Sequence, residues 1–298
     1  ALRTLFAPVE QEFAEAHGRI PGGEMGVIAL GKLGGRGLTI GSDLDLLFIY
    51  RSDEEDSDGQ RPLASIPYFT RLGQRYLSAL TAPTAEGPLY EVDMRLRPSG
   101  NAGPLASALQ SFVQYHENNA WTWERMALTR ARVIYSGDTL QARIEAAIKT
   151  VLTTAQEPAA LLKDVAAMRV RLMQGRAPSG PWDIKNIRGG LIDIEFIAQY
   201  LQLLHAPEKP EILSQDTGVA LQNMRMCGAL AKGPADQLIA ALQLWRNLQG
   251  IVRLTAGDNF DDQTATTGNC AMLLAACEAE NLTTLKEQVT DTAATIFR

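Results

Sequence analysis

Two aspartates one residue apart, Asp43 and Asp45, stand at the entrance to an apolar, β-prone run over residues 44–50. In a strand, side chains alternate between faces, so the two carboxylates share one face, about 6.6 Å apart at about 3.3 Å per residue. From there they can converge on two divalent ions about 3.5–4 Å apart, the spacing of two-metal phosphoryl chemistry. Magnesium suits such oxygen ligands and keeps part of its shell for phosphates. A lone Asp-x-Asp is also what a polar strand edge displays, so the neighbours decide. The preceding segment is dense in glycine: Gly31, Gly34, Gly35, Gly37 and Gly41. A strand ending at Gly31 and turning through Gly34 and Gly35 into a short helix would bring backbone N–H groups close to a phosphate. Lys32 and Ser42 would add an ammonium and a hydroxyl.

A third acid follows. Over residues 89–96 the chain alternates, with Glu91, Asp93, Arg95 and Arg97 on one face and Tyr90, Val92, Met94 and Leu96 on the other. With the apolar set in the core, Asp93 completes a three-carboxylate site beside the first strand. Arg95 and Arg97 then neutralise phosphate oxygens. A solvated face with internal Asp–Arg pairing gives the same pattern. Among the remaining residues, Lys185 precedes a glycine turn and is placed either to reach a phosphate or to sit in solvent. Asp193 and Glu195 open a helix, where the dipole alone favours acids. Trp121, Trp123 and Trp182 offer either packing or a surface for a base. Arg125, Arg130 and Arg132 either line a phosphate channel or pair with acids. His116 and His205 have no partner at metal spacing.

The elements that must hold these groups read as follows. Residues 2–16 have helical spacing of Leu5, Phe6, Val9 and Phe13. Pro21, Gly22 and Gly23 end that helix, and 25–30 is a short buried strand. Residues 52–60 are an acidic loop, and 66–80 is helical. Beyond Tyr135 the pattern is helical throughout, over 140–152, 160–173, 191–204 and 235–254, interrupted by the Gly- and Pro-rich 177–190. The expected fold is α+β: a small mixed-sheet head over 1–135 and an all-α helical bundle over 136–298.

The formal net charge of −6 shows no basic stripe, which disfavours a polynucleotide partner. Cys227, Cys270 and Cys277 fit neither a zinc site nor a disulfide framework. With no leader and no run of 18 apolar residues, the expectation is a cytoplasmic protein that meets no membrane. The start at Ala1 and a last segment, 295–298, that still reads as helix suggest a piece of a longer polypeptide.

The stretch from Gly31 to Leu47 resembles the nucleotidyltransferase superfamily that includes DNA polymerase β. It is closer to the bacterial glutamine synthetase adenylyltransferases, bifunctional enzymes with two related catalytic halves. Three further blocks carry that resemblance: Val92 to Gly100, Asn119 to Glu124, and Trp182 to Lys185 followed by Gly189 to Ile197. Gly37 stands where the family often has glutamate, and Gly41 where it often has serine. The resemblance covers roughly residues 25–210 and weakens after that.

The resemblance implies transfer of AMP from ATP to a tyrosine of glutamine synthetase. Asp43, Asp45 and Asp93 are the implied catalytic and metal residues for two Mg2+ ions, with Asp93 the candidate to take the hydroxyl proton. Gly31, Lys32, Gly34, Gly35, Ser42, Arg95, Arg97, Lys185 and Glu195 are the implied nucleotide contacts. Glutamine synthetase and the PII signal protein are the implied partners. Three alternatives stay open: the phosphorolytic deadenylylating half, a uridylyltransferase acting on a signal protein, and a non-catalytic docking module.

Overall fold

The computed structural model describes residues 2–87, 90–257 and 260–298, so Leu89, where the third-acid strand was expected to begin, lies outside the described residues. The chain divides into two compact units, residues 1–38 with 42–153, and residues 39–41 with 154–298.

The first unit is built on a small mixed sheet. Strands β1 (Glu24–Ala29) and β2 (Leu44–Arg51) pair antiparallel with Ala29 opposite Leu46, and β1 also pairs antiparallel with β5 (Arg132–Tyr135). Two short strands run parallel to β2: β3 (Val92–Asp93) beside Leu44 and Asp45, and β4 (Ala106–Ala108) beside Phe48 to Tyr50. The period of two decides the layers. Leu44, Leu46, Phe48 and Tyr50 pack with Phe6 and Phe13 of α1 (Leu2–His17) and with Phe69, Leu72 and Tyr76 of α3 (Ser65–Leu80). The other face is covered by helices as well. At Gly26 a side chain would meet Ile144 Cδ1 at 2.7 Å, so the glycine admits α6 (Asp138–Thr153) onto the sheet.

The helix α6 therefore belongs with the sheet. The expected boundary at 135/136 marks where the helical sequence pattern starts. The division between compact units falls one helix later, because Leu140, Ile144 and Ile148 are buried. Helices α4 (Leu109–Asn118) and α5 (Thr122–Leu128) complete the unit together with a four-residue helix, α2 (Gly31–Gly34).

The second unit is helical: α7 (Pro158–Gly175), α8 (Leu191–His205), α9 (Thr217–Met226), α10 (Lys232–Thr255), α11 (Thr267–Ala276) and α12 (Leu282–Phe297). Its core gathers on Trp245 of α10, which is fully buried among Leu191, Ile194, Leu242, Leu273, Leu285 and Val289. Gly189 is pressed into this core, where a Cβ would lie 1.9 Å from Ala293 O, and its carbonyl accepts from Trp245 Nε1 at 3.2 Å. Among the described residues no helix is long and apolar enough to cross a membrane.

Candidate active site

Asp45 interrupts a buried row. On the sheet face opposite α1 and α3, Leu47 and Ile49 of β2 are fully buried, and the next position in that row is Asp45. A carboxylate there loses water without gaining an apolar contact. Burial pushes its pKa up to about 6, and the charges of Asp93 and Asp43 push the same way, against smaller relief from Arg130 and Arg95. The backbone fixes these neighbours. Leu44 N–H donates to Glu91 O at 2.8 Å, and the parallel register places Asp45 opposite Asp93. Gly31 completes the fit. It adopts φ +50°, and a Cβ on it would lie 2.0 Å from Asp45 Oδ2, so the missing side chain is the space the carboxylate occupies. Asp43 precedes the strand rather than sharing its pleat, and it is exposed.

The strand expected over 89–96 is reduced to Val92–Asp93 among the described residues. The reason is turn chemistry: Asp93 Oδ1 accepts the backbone N–H of Arg95 at 2.8 Å, which bends the chain two residues on. Arg95 also returns its guanidinium to the Asp93 carboxylate, Nη2 to Oδ2 at 2.5 Å and Nε to Oδ1 at 3.0 Å. This hydrogen-bonded pairing holds Asp93 below the ordinary carboxylate range. Arg97 donates to Met94 O at 2.6 Å and to Gly103 O at 3.4 Å, so it closes its own loop.

Among the described residues no three His, Cys, Asp or Glu side chains converge as a metal-binding group, since Asp93 is turned to Arg95. The donor set still fits a hard divalent cation. Asp45 is a half-buried carboxylate loaded by two further carboxylates, and oxygen-only ligands suit magnesium.

The glycine turn does different work from what was expected. Gly34 N–H donates to Leu30 O at 2.7 Å and Gly35 N–H to Gly31 O at 3.1 Å, so both amides are spent closing α2. At Gly34 a Cβ would lie 2.0 Å from Arg130 O, so this glycine serves close packing. Arg132 on β5 fastens the end of the same helix, donating Nη2 to Leu33 O at 2.7 Å and Nε to Gly34 O at 3.1 Å. A cation on the last carbonyls of a helix satisfies them and favours its dipole. Lys32 is half-buried on α2 and Ser42 is buried just ahead of Asp43.

Of the three arginines that the sequence offered as a phosphate channel or as partners of acids, Arg130 is the one whose charge reaches the acidic strand. Its side chain is buried and its charge acts on Asp45. An arginine among the apolar positions leading into β5 was the available signal, but Arg125 and Arg132 share it. Those two serve backbone carbonyls, Arg125 donating to His116 O at 2.9 Å.

Asp193 is committed to structure: it pairs with Arg169 and accepts Gly189 N–H at 2.5 Å, capping α8. Glu195 lies two residues further along α8 and is half-buried, as is Lys185 before the helix. Trp182 is a core residue against Phe260, with centroids 5.2 Å apart. Trp121 and Trp123 in the first unit are instead exposed. The backbone of Trp121 is anchored by Glu124, which accepts its N–H at 2.8 Å and the Tyr115 hydroxyl at 2.9 Å.

The family model described as glutamate-ammonia ligase adenylyltransferase matches residues 1–147, and that of GlnD PII-uridylyltransferase matches residues 166–269. A bifunctional glutamine synthetase adenylyltransferase/adenylyl-removing enzyme of Bradyrhizobium diazoefficiens is 45% identical over 299 residues, covering 100% of this chain and 30% of the relative. The proteins of the same name from Rhodopseudomonas palustris (strain HaA2) and Rhizobium meliloti are 47% and 43% identical, covering 97% and 94% of this chain and 29% of each relative. The chain thus spans less than a third of the length of these relatives.

Proposed function

The chain belongs, over residues 1–147, to the glutamate-ammonia ligase adenylyltransferase family, and from that premise we propose that it transfers AMP from ATP to a tyrosine of glutamine synthetase. One observation carries the reading: the carboxylate of Asp45 sits in a buried row of β2, in register with Asp93, with Gly31 hollowed out beneath it. The names of the relatives supply the target.

In this reaction the tyrosine oxygen forms a bond to the α-phosphorus. The bond from that phosphorus to the bridging oxygen breaks, and pyrophosphate leaves. Asp43, Asp45 and Asp93 would hold two magnesium ions, which when bound neutralise phosphate charge and acidify the tyrosine hydroxyl. Asp93 takes the hydroxyl proton, and Arg95 governs when it can. While Arg95 holds both oxygens, Asp93 is a weak base. Arg95 is largely exposed, so a substrate phosphate can draw its guanidinium away and restore Asp93. Arg130 and Lys32 stabilise the charge that develops on the phosphate. By the resemblance, Lys185 and Glu195 of the helical unit are proposed nucleotide contacts, and PII is a proposed partner. The three free thiols, Cys227, Cys270 and Cys277, suit a cytoplasmic setting.

The names of the relatives also contain the reverse activity, so the deadenylylating half is the second reading. One experiment separates them. The chain is incubated with glutamine synthetase, α-labelled ATP and magnesium, and in parallel with adenylylated glutamine synthetase and phosphate. Labelled tyrosine in the first arm, lost in Asp45→Asn, supports the proposal. ADP formed in the second arm alone overturns it in favour of removal. Turnover of labelled UTP onto PII would instead support the uridylyltransferase reading, which the match of residues 166–269 keeps open.

A further inference from the structure

Helix α7 buries little of its own surface. Of its 18 residues only Leu161 and Val165 are buried, while Leu162 and Val170 are apolar and exposed. Beside them lies a cavity of about 340 Å³ with three walls: Leu162 and Val170 on α7, Phe196 and Tyr200 on α8, and Phe297 on α12. Its polar groups gather at the start of α8. Arg169 and Asp193 neutralise each other there, and Asp193 is further committed to Gly189 N–H at 2.5 Å. Arg188 is different. It is exposed, its guanidinium carbon stands 4.7 Å from the centre of the Phe297 ring, and among the described residues it meets no carboxylate.

We propose that this cavity binds a small amphiphilic monocarboxylate, with its charged end on Arg188 and its apolar body along α8. The volume sets the size of the ligand. It falls at the lower end of small-molecule sites, roughly 300–1,000 Å³. It equals about eleven waters at about 30 Å³ each, which is room for one chain or ring and too little for a two-chain lipid. The distribution of polarity sets the shape. Tyr200 lies seven residues beyond Asp193, about 10 Å at about 1.5 Å per residue, so the polar end leads into an apolar path of that length. Covering those side chains releases the water they now face. The charge sets the head group. With Arg169 and Asp193 balanced, Arg188 leaves one positive charge over, which calls for one negative charge. Its planar fork matches a carboxylate in two parallel hydrogen bonds, and the aromatic ring beneath it limits its freedom. The site lies wholly within the helical unit and does not rest on the AMP-transfer reading.

The test is isothermal titration calorimetry on the whole 298-residue chain, without nucleotide. The probes are decanoate, kept below the concentration at which it self-associates, and decanol as its neutral counterpart. The expected result is saturable binding of one equivalent of decanoate. Arg188→Gln should weaken decanoate roughly tenfold, as for the loss of a charge-assisted hydrogen bond, and leave decanol unchanged. Ala166→Trp, which fills the cavity from an exposed position on α7, should abolish both. Asp45→Asn should alter neither. Thermal melts without ligand certify that the variants are folded, and Arg188→Gln decides alone if Ala166→Trp is not. The absence of saturable decanoate binding to the parent, equal decanoate affinity in folded Arg188→Gln, or full affinity in folded Ala166→Trp overturns the proposal. Self-association of the parent that Ala166→Trp abolishes would assign the cavity to a second copy of the chain and overturn it as well.

Discussion

Replacing Gly31 by alanine adds one methyl group at the point where the nucleotide loop meets the acidic strand. The new Cβ would lie 2.0 Å from Asp45 Oδ2 and 2.8 Å from its Cγ, on a residue with φ +50°. The left-handed conformation costs a non-glycine residue roughly 1–2 kcal/mol. The carboxylate is the end of a flexible side chain, so it yields, and leaving its rotamer costs roughly 0.5–1.5 kcal/mol. Together these give about 2–3 kcal/mol, or roughly 5–10 °C in Tm for a unit of this size. The activity effect is larger in proportion, because Asp45 is driven from the position it must hold. A misplacement of about 1 Å costs on the order of 100-fold in rate. Differential scanning calorimetry and the labelled AMP assay measure the two effects side by side. Gly37→Ala is the control: its φ is not positive and a Cβ there meets nothing within 4 Å, so both quantities stay at the parent values. If Gly31→Ala transfers AMP at the parent rate, the claim that Gly31 makes room for a catalytic Asp45 is wrong.

Other expected outcomes concern charge. Asp45→Asn should abolish transfer while raising Tm, because a half-buried carboxylate with its pKa pushed up to about 6 is a burden at neutral pH. Two pKa units correspond to about 3 kcal/mol, and partial exposure reduces this to about 1–2 kcal/mol. The sign follows from linkage: the penalty is absent below the unfolded pKa, grows to pH 6 and is complete above it. The Tm difference between variant and parent should therefore shrink as pH falls from 7 to 5; a constant difference refutes the assignment. His116 works in the opposite direction. It is buried against Phe112, and burial lowers its pKa to about 4, assisted by Arg125. Its neutral form supports the fold above pH 6.5, and about 3 kcal/mol is lost as pH falls to 4. His116→Phe should remove that slope from urea unfolding midpoints measured between pH 7 and 5, and an unaltered slope counts against it. Arg132→Met, which frees the last carbonyls of α2, should raise the KM for ATP about tenfold with kcat changed less than threefold; an unchanged KM contradicts its role in holding the loop.

Particular residues show why part of this was legible beforehand. The period of two over 44–50 predicts β2 because Leu44, Leu46, Phe48 and Tyr50 all face one core. The spacing in α1, α3 and α10 likewise predicts helices that bury one face. Local chemistry overrode alternation at Asp93, whose side chain captures the Arg95 amide and ends the strand after two residues. The short strands β4 and β5 carry too few residues for a period to register, and their pairing with β2 and β1 is decided by tertiary neighbours. The boundary at α6 was hidden because a helix that packs on a sheet and one that packs in a bundle show the same pattern. At the site, residue types foretold the acids but not their partners. Gly34 is used for packing on Arg130 and Arg97 for closing a loop, distinctions that only three-dimensional distances supply. Asp193 carries the appearance of a site residue and is a cap held by Arg169.

The central claim is that Asp43, Asp45 and Asp93 together hold a divalent cation for AMP transfer. Manganese suits the same carboxylate and water ligands as magnesium and is visible by electron paramagnetic resonance. Titrating the chain with Mn2+ in the presence of a non-hydrolysable ATP analogue should show saturable binding that magnesium displaces. Asp45→Asn and Asp93→Asn should each weaken it at least tenfold. Equal Mn2+ affinity in the parent and in both variants would contradict the account.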